Sequence, residues 1–368
     1  MTWRSVHVYY YEDRKYDLVL DAVRPLFQRL GPEIRAYHVP HWLRGPHLRL
    51  NFHTGSRQYA DLVLPAVHEV IGGYLAEHPS TAVYDKEEML AGHRLLIESE
   101  QERGQLEPLA EDNSLHEAPY DQRLHVLGST EAASLLADFY VDTTELTFAM
   151  TEALRSGMQR LRLAFDLMIA TAHTLSGIGY ARGFVSFRSH AEAFLSWVPQ
   201  AGGLRPAWQR HYRLHSRSLV AQARQVVDSL DTGGSAVPWV HEWVRALVPY
   251  RRLGGQLIAS GQISLDPPGP PPGSRQYFEK LASSPMHSKG SWQHSQVDRL
   301  WFGKYRLMLN YTYLHLTRLG LTPVERFLLC HLAANTAEEI FGVRALDVRF
   351  PVPGDPAATR EVELGETA

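Results

Sequence analysis

The sequence predicts an α+β protein, a strand–helix–hairpin–helix unit at the N-terminus followed by a large, mainly helical remainder. Three observations predict it. Trp3–Tyr11, WRSVHVYYY, is rich in β-branched and aromatic residues, the composition of a strand. In His47–His53, Leu48, Leu50 and Phe52 alternate with His47, Arg49, Asn51 and His53, so one face is apolar and the other polar and cationic. From Thr130 onward the apolar residues recur mostly at helical spacing.

Taken in order, Asp17–Leu30 sets Leu18, Val19, Ala22, Leu26, Phe27 and Leu30 at helical spacing, with Pro25 as a kink and Gly31-Pro32 as the stop. Ile34–Val39 and His47–His53 are extended runs around the turn-rich PHWLRGP, and Tyr59–Leu75 is helical again. Pro79–Pro119 reads as irregular and charged, with a helix over Lys86–Glu102 and a turn at Glu111–Ser114. Helices follow at Glu131–Phe139, Thr144–Arg155, Gln159–Leu175, Pro206–Leu230 and Val237–Leu247, broken at Gly177–Gly183. DPPGPPPG, Asp266–Gly273, is a stiff exposed loop. Leu300–Gly320 and Thr322–Phe341 are closing helices, the second capped by Thr322 with Pro323 in its first turn and Glu325 at its third position. Ala345–Phe350 reads as a last strand before a frayed tail, Pro351–Ala368. The expected organisation is one body: an α+β unit over 1–78, helices over 79–265, the loop 266–273, and closing helices over 274–350.

Composition narrows the function classes. With 44% hydrophobic and 21% charged residues the chain is globular, and its 368 residues bury a large core. A net charge of −3, from 37 basic and 40 acidic residues, gives no global attraction for nucleic acid. The single cysteine, Cys330, excludes an internal disulfide, and its apolar helical setting reads as an inert core thiol. Met1–Tyr11 has no apolar core of a secretory signal, and no window approaches about 18 uninterrupted apolar residues, so the expectation is cytoplasmic with no membrane partner. P-loop, GxGxxG, HExxH and GxSxG patterns are absent. His38 and His41 lack a third ligand, so no metal is expected. Trp208, Arg210, His211, Tyr212, Arg213 and Arg217 form either a grip for an anionic or peptide partner or a solvated helix face.

Two concentrations of polar groups on apolar elements remain. One is Pro46–Phe52. The other is Leu300–Gly320, LWFGKYRLMLNYTYLHLTRLG, whose apolar and aromatic residues occupy every side of a helix. Asn310, Tyr311, Thr312, Tyr313, His315, Thr317 and Arg318 within it cost free energy if buried without partners. Such a helix is a well-satisfied core element or the wall of a reaction chamber.

Together these motifs carry a resemblance. WRSVHVYYY, then PHLRLNF some forty residues on, then a late YLHLTRLG followed by Glu325, resembles the elimination domain of lantibiotic dehydratases. LAEDNSLHEAPYDQRLHVLG is similar, more loosely, to the thiopeptide branch of that family. The family's late motif has a histidine where Tyr313 stands and an asparagine where Thr317 stands, while Arg318, Leu319 and Gly320 agree. Its early motif reads PHLRLRF, so Arg49 matches and Asn51 replaces the second arginine. Eliminating glutamate from a glutamylated Ser or Thr needs a base for the α-proton and cations for the leaving carboxylate. His315 is no substitute for the missing histidine, being about 200° around the helix from Tyr313.

The resemblance therefore implies the branch in which elimination has given way to ring formation, the pyridine synthases of thiopeptide biosynthesis. These join two dehydroalanines of a modified precursor peptide in a formal [4+2] aza-cycloaddition, then lose water and the leader peptide. It implies Tyr313, Arg49, His47, Tyr311 and Asn310 as catalytic residues, and Asn51, Thr317 and Arg318 as substrate-binding ones. It implies no cofactor, a leader-bearing peptide as partner, and a fold like the elimination domain. Whether the chain forms a homodimer stays open. The alternatives are a split glutamate-elimination subunit and a non-catalytic precursor-binding subunit. For Arg49 the structural alternative is an ion pair with Glu325 or another carboxylate.

Overall fold

The computed structural model describes residues 1–100, 102–198, 201–264 and 297–359, together with positions 279, 281, 282, 284 and 286–288. Asp266–Gly273, much of Ser283–Ser291 and the last residues of the tail lie outside the described residues. Contacts divide the chain into two compact units: Met1–Met158 with Thr317–Gly320, and Gln159–Leu316 with Leu321–Ala368.

The first unit is built on a four-stranded antiparallel sheet of order β2-β3-β1-β4, with β1 Thr2–Tyr9, β2 Arg35–His41, β3 His47–Thr54 and β4 Ser114–Ala118. The turn between β2 and β3 requires Gly45. Its φ is 120°, and a Cβ there would collide with the Tyr11 ring. Pleating sends Val6, Val8, Leu48, Leu50 and Phe52 to one face, where they pack with Leu18, Leu26, Val63, Val67, Ile71 and Phe148. The packing helices are α1 and α2. α1 is a wide π turn, Leu18–Val23, continued by Arg24–Leu30. α2 runs from Ser56–Gln58 to Gly73–Glu77 with π turns at Tyr59–Val63 and His68–Gly72. The first π turn of each ends two residues before a proline, Pro25 or Pro65, whose missing N–H disrupts the regular ladder. The unit is completed by α3 Lys86–Ser99, the single turn α4 Leu124–Leu127, α5 Thr130–Asp142 and α6 Thr144–Arg155.

Two details of this unit differ from the expectations. β4 falls in the stretch read as irregular, because an edge strand of five polar-rich residues carries little hydrophobic pattern. α3 stops at Ser99 rather than Glu102, which leaves the Glu102 carboxylate outside the helix.

The second unit is helical among the described residues. α7 is Arg160–Ala170 extended by a π turn, Thr171–Leu175; α8 is the short Tyr180–Gly183, and α9 is Val185–Trp197. α10 Ala201–Thr232 and α11 Val240–Ala259 follow. α12 Arg299–Arg318 begins in this unit and runs on into Thr317–Gly320 of the first. α13 Pro323–Phe341 starts with the expected capping box of Thr322 and Glu325, and α14 is Pro356–Thr359. Ala345–Phe350 is not a strand. It begins as a 3₁₀ turn, Ala345–Asp347, held by Arg344 to Asp347 at 2.8 Å, and Phe350 packs on Trp301.

α12 is buried on nearly every side, and several of its polar groups find partners within the second unit. Trp301 Nε1 donates to the Ser176 carbonyl at 2.8 Å, and Tyr305 Oη to that of Gly183 at 2.8 Å. Thr312 donates to the Met308 carbonyl at 2.7 Å and lies 3.0 Å from the Thr171 hydroxyl. These bonds are what allow a polar helix into a core.

Candidate active site

The second sheet face carries the first group of candidate side chains. Odd-numbered residues of β1, β2 and β3 and even-numbered ones of β4 point there, so Arg49 on β3 stands between His7 on β1 and Val39 on β2, with His116 beyond His7 on β4. The neighbouring row holds His41, His47 and Tyr9, and the row on the other side Tyr37, Asn51 and Ser5. His38 points to the apolar face, stacked 5.5 Å from Phe148, so it cannot share a ligand with His41. Among the described residues no cluster of His, Cys, Asp and Glu could hold a metal ion.

The hydrogen bonds fix the state of this group. His47 Nδ1 donates to the Gly45 carbonyl at 2.8 Å, which leaves Nε2 as an acceptor, and Arg49 Nε donates to it at 3.4 Å. His41 Nε2 donates to the Glu102 carboxylate at 3.2 Å, so its Nδ1 accepts from the Leu43 N–H at 3.1 Å and from Arg49 at 3.1 Å. Both rings are neutral and offer lone pairs to one guanidinium. Burial, together with the cationic Arg49, lowers the pKa of His7 to about 3, and burial holds His41 at about 4 against the pull of Glu102. His47 is pushed well below its usual value by burial and the neighbouring histidines. Burial alone would raise Glu102, but the His41 bond and the Arg123 charge hold it at about 2. Arg49 is 12% exposed, and its nearest carboxylate is Asp121 at 3.9 Å. Glu325 pairs instead with Arg160 at 2.7 Å. Arg49 is thus oriented by neutral imidazoles and, as the alternative reading anticipated, also faces carboxylates, Asp121 within ion-pair range and Glu102 beyond it.

Asn51 is buried beside this cluster, its Nδ2 at 3.5 Å from the Arg49 carbonyl. Arg318 also belongs to the first unit and is buried. It donates to Thr143 at 2.9 Å, Thr144 at 3.1 Å and the Tyr140 carbonyl at 3.3 Å, with its cation over the Tyr140 ring. Its guanidinium ties the corner between α5 and α6. Thr317, next to it, is half-buried.

The second unit holds Tyr313, Tyr311 and Asn310. Tyr313 is 8% exposed, with its hydroxyl 2.8 Å from His190 Nδ1 and 3.3 Å from Cys330 Sγ. Burial raises the Tyr313 pKa well above its normal value and lowers that of His190 to about 3, helped by Arg306 and Arg326. Both are neutral at any working pH. Burial pushes the Cys330 thiol up to about 12, as suits the inert cysteine expected from its sequence setting. Tyr311 is buried edge-on to Tyr250, and Asn310 is exposed. His315 is buried and stacked 4.5 Å from Trp243.

Sequence reasoning singled out Arg49 and His47 and weighed His41 only as a metal ligand, but missed His7 and Glu102 around them, and His190 beside Tyr313. Part of that signal was present. The alternation of Ser5, His7 and Tyr9 in β1 mirrors that of His47, Arg49 and Asn51, and two such strands side by side make a polar face. Glu102 and His190 come from distant segments and left no local trace.

The sequence matches the family described as lantibiotic biosynthesis dehydratase, C-terminal, over residues 3–337. A search of curated proteins finds no match. Among solved structures the chain is similar to the pyridine synthase TbtD from thiomuracin biosynthesis, with 37% identity and a TM-score of 0.77, covering 93% of this chain and 99% of that one. The crystal structure of TsrL shares the fold, at 21% identity and a TM-score of 0.72, over 95% of this chain and 99% of that one. The match across the sheet and helices alike makes this chain a member of the lantibiotic biosynthesis dehydratase C-terminal family.

Proposed function

We propose that this protein is a pyridine synthase of thiopeptide biosynthesis, acting on a precursor peptide that already bears dehydroalanines. The observation that carries the reading is the neutrality of its candidate groups. His7, His41, His47 and His190 are all held far below neutral pH, and Tyr313 far above it. An α-proton abstraction wants a base whose pKa lies near the working pH, and none of these supplies one. A cycloaddition needs no such base. The similarity to TbtD supports the same reading.

In the reaction, one dehydroalanine and its neighbouring amide, as the imidic-acid tautomer, form a 2-aza-diene. Its two terminal carbons bond to the two alkene carbons of the second dehydroalanine. Loss of the imidic hydroxyl as water, and of the leader peptide as a carboxamide, leaves an aromatic pyridine. Tyr313 is assigned the proton exchange at the amide, with its neutral hydroxyl oriented by His190. Arg49, aligned by His47 and His41, is assigned to polarise a carbonyl or the departing amide. Asn51 and Thr317 remain candidates for peptide contacts, and Tyr311 and the exposed Asn310 for catalytic roles. Holding two alkenes in one geometry supplies much of the acceleration, since effective molarities reach about 10⁵–10⁸ M.

The test is incubation with a dehydroalanine- and azole-bearing precursor peptide and, separately, with a glutamylated one, read by mass. Release of leader carboxamide with ring closure is expected. Release of glutamate would instead identify an eliminating enzyme, and binding without turnover a non-catalytic subunit. Tyr313→Phe is expected to fold and to lose ring closure; full activity in that variant removes Tyr313 from the mechanism.

A further inference from the structure

The arginines singled out in the middle of the sequence lie on α10, and nothing in the proposed chemistry uses them. Arg210, Arg213, Arg217 and Arg224 are all exposed. At 100° per residue they fall within about 60° of one another on the helix surface, a stripe about 21 Å long. Trp208, Tyr212, Ala223 and Val226 are buried on another side, toward the rest of the second unit. Arg205, one turn before the stripe, is paired with Glu192 at 2.7 Å. Among the described residues the four stripe arginines make no ion pair and no side-chain hydrogen bond.

The sequence around them is unusual for this chain. From Ala193 to Val227 there is no aspartate or glutamate, although acidic residues outnumber basic ones overall, 40 to 37. Exposed helices commonly carry Glu–Lys or Glu–Arg pairs at i,i+4, and like charges at that spacing destabilise a helix. Here Arg213 and Arg217 stand at that spacing with no acid between them. A cost retained along one stripe points to a counter-charge supplied from outside.

We propose that this face of α10 docks an acidic peptide segment, the non-reacting part of the precursor. The proposal rests on the reading of the protein as a precursor-peptide enzyme. All four cations are arginines, whose planar forks match carboxylates bidentately. Leu214, 74% exposed, stands beside the stripe and offers an apolar contact between the charged ones. The stripe is one side chain wide, suited to a single extended or helical peptide. Nucleic acid is disfavoured by the net charge of −3 and by the burial of Trp208 and Tyr212, which leaves no aromatic on the stripe to stack a base.

The experiment measures fluorescence anisotropy of the full-length protein with a fluorescein-labelled synthetic peptide of glutamate, aspartate and leucine. Its glutamine/asparagine counterpart and a single-stranded DNA oligomer run in parallel. Binding of the acidic peptide alone is expected, weakening as salt is raised. Replacing Arg210, Arg213, Arg217 and Arg224 together by Gln should weaken it about tenfold or more. Replacing four exposed arginines elsewhere, Arg14, Arg94, Arg103 and Arg252, by Gln should leave it nearly unchanged. Equal losses in the two variants, no loss in the first, or tighter binding of the DNA overturns the proposal. Ring closure on a dehydroalanine peptide is scored separately. A protein that closes the ring but ignores the acidic probe refutes the docking face and leaves the function standing. One that binds the probe through the stripe and turns over no peptide does the reverse.

Discussion

Arg49 is the residue of the first unit to which the proposed chemistry assigns its cation. Its fork is aligned by two lone pairs, His41 Nδ1 and His47 Nε2, and a point charge cannot answer both. Arg49→Lys is therefore expected to keep the fold, by circular dichroism, while lowering kcat/KM for ring closure about 10²-fold, the scale of losing one preorganised donor. Activity within a factor of two of wild type would remove Arg49 from the mechanism. Gly45 is the second sensitive position, because its φ of 120° and the Tyr11 ring leave no room for a Cβ, while its carbonyl sets the His47 tautomer. Gly45→Ala should destabilise the protein by about 1–3 kcal/mol, read by chemical denaturation. Arg49 and His47 were legible as candidates because both lie in one alternating strand. Their neutral partners were not legible, since tautomer and pKa depend on atoms brought from β1, β2 and the residue after α3.

At the scale of elements, terminal signals were read best. The capping box at Thr322 and Glu325 forms as the sequence spells it, with Glu325 Oε2 accepting from the Thr322 N–H at 2.9 Å. Thr322→Ala should cost about 1 kcal/mol of stability, measured by urea unfolding, without changing substrate affinity. Leu300–Gly320 is the harder case. Its periodicity gave a buried helix, and α12 is one. That Tyr313 bonds His190 while Tyr305 bonds the Gly183 carbonyl follows from packing against α9 and α8, which no local pattern encodes. The end of α3 illustrates the same limit. Helical spacing continues to Glu102, and the chain leaves the helix three residues earlier.

At the scale of the molecule, the buried imidazoles set the response to acid. His7 and His190 near 3, and His41 and His331 near 4, are neutral in the fold and titrate near 6.5 once unfolded. Between pH 6.5 and about 4 the unfolded chain binds more protons, so stability falls as pH drops through that window. Glu102, held at about 2, contributes stability that is lost only below about pH 4.5, so it does not offset the histidines above that point. The thermal midpoint should fall by several degrees from pH 7 to pH 5 and stay level from pH 7 to pH 8. A midpoint unchanged down to pH 5 would mean that these rings are charged in the fold. No described helix is long and apolar enough to cross a membrane.

By itself the sequence determined the α+β class, most helix and strand positions, and the family, because periodicity, caps and the PHLRLNF and YLHLTRLG motifs are local. Tertiary structure alone decided that His41 and His47 turn lone pairs toward Arg49, that Tyr313 is held by His190, and that Arg318 ties a helix corner. The reason is physical. Charge state and hydrogen-bond direction are set by burial and by neighbours far apart in sequence, and these exist only once the chain has folded.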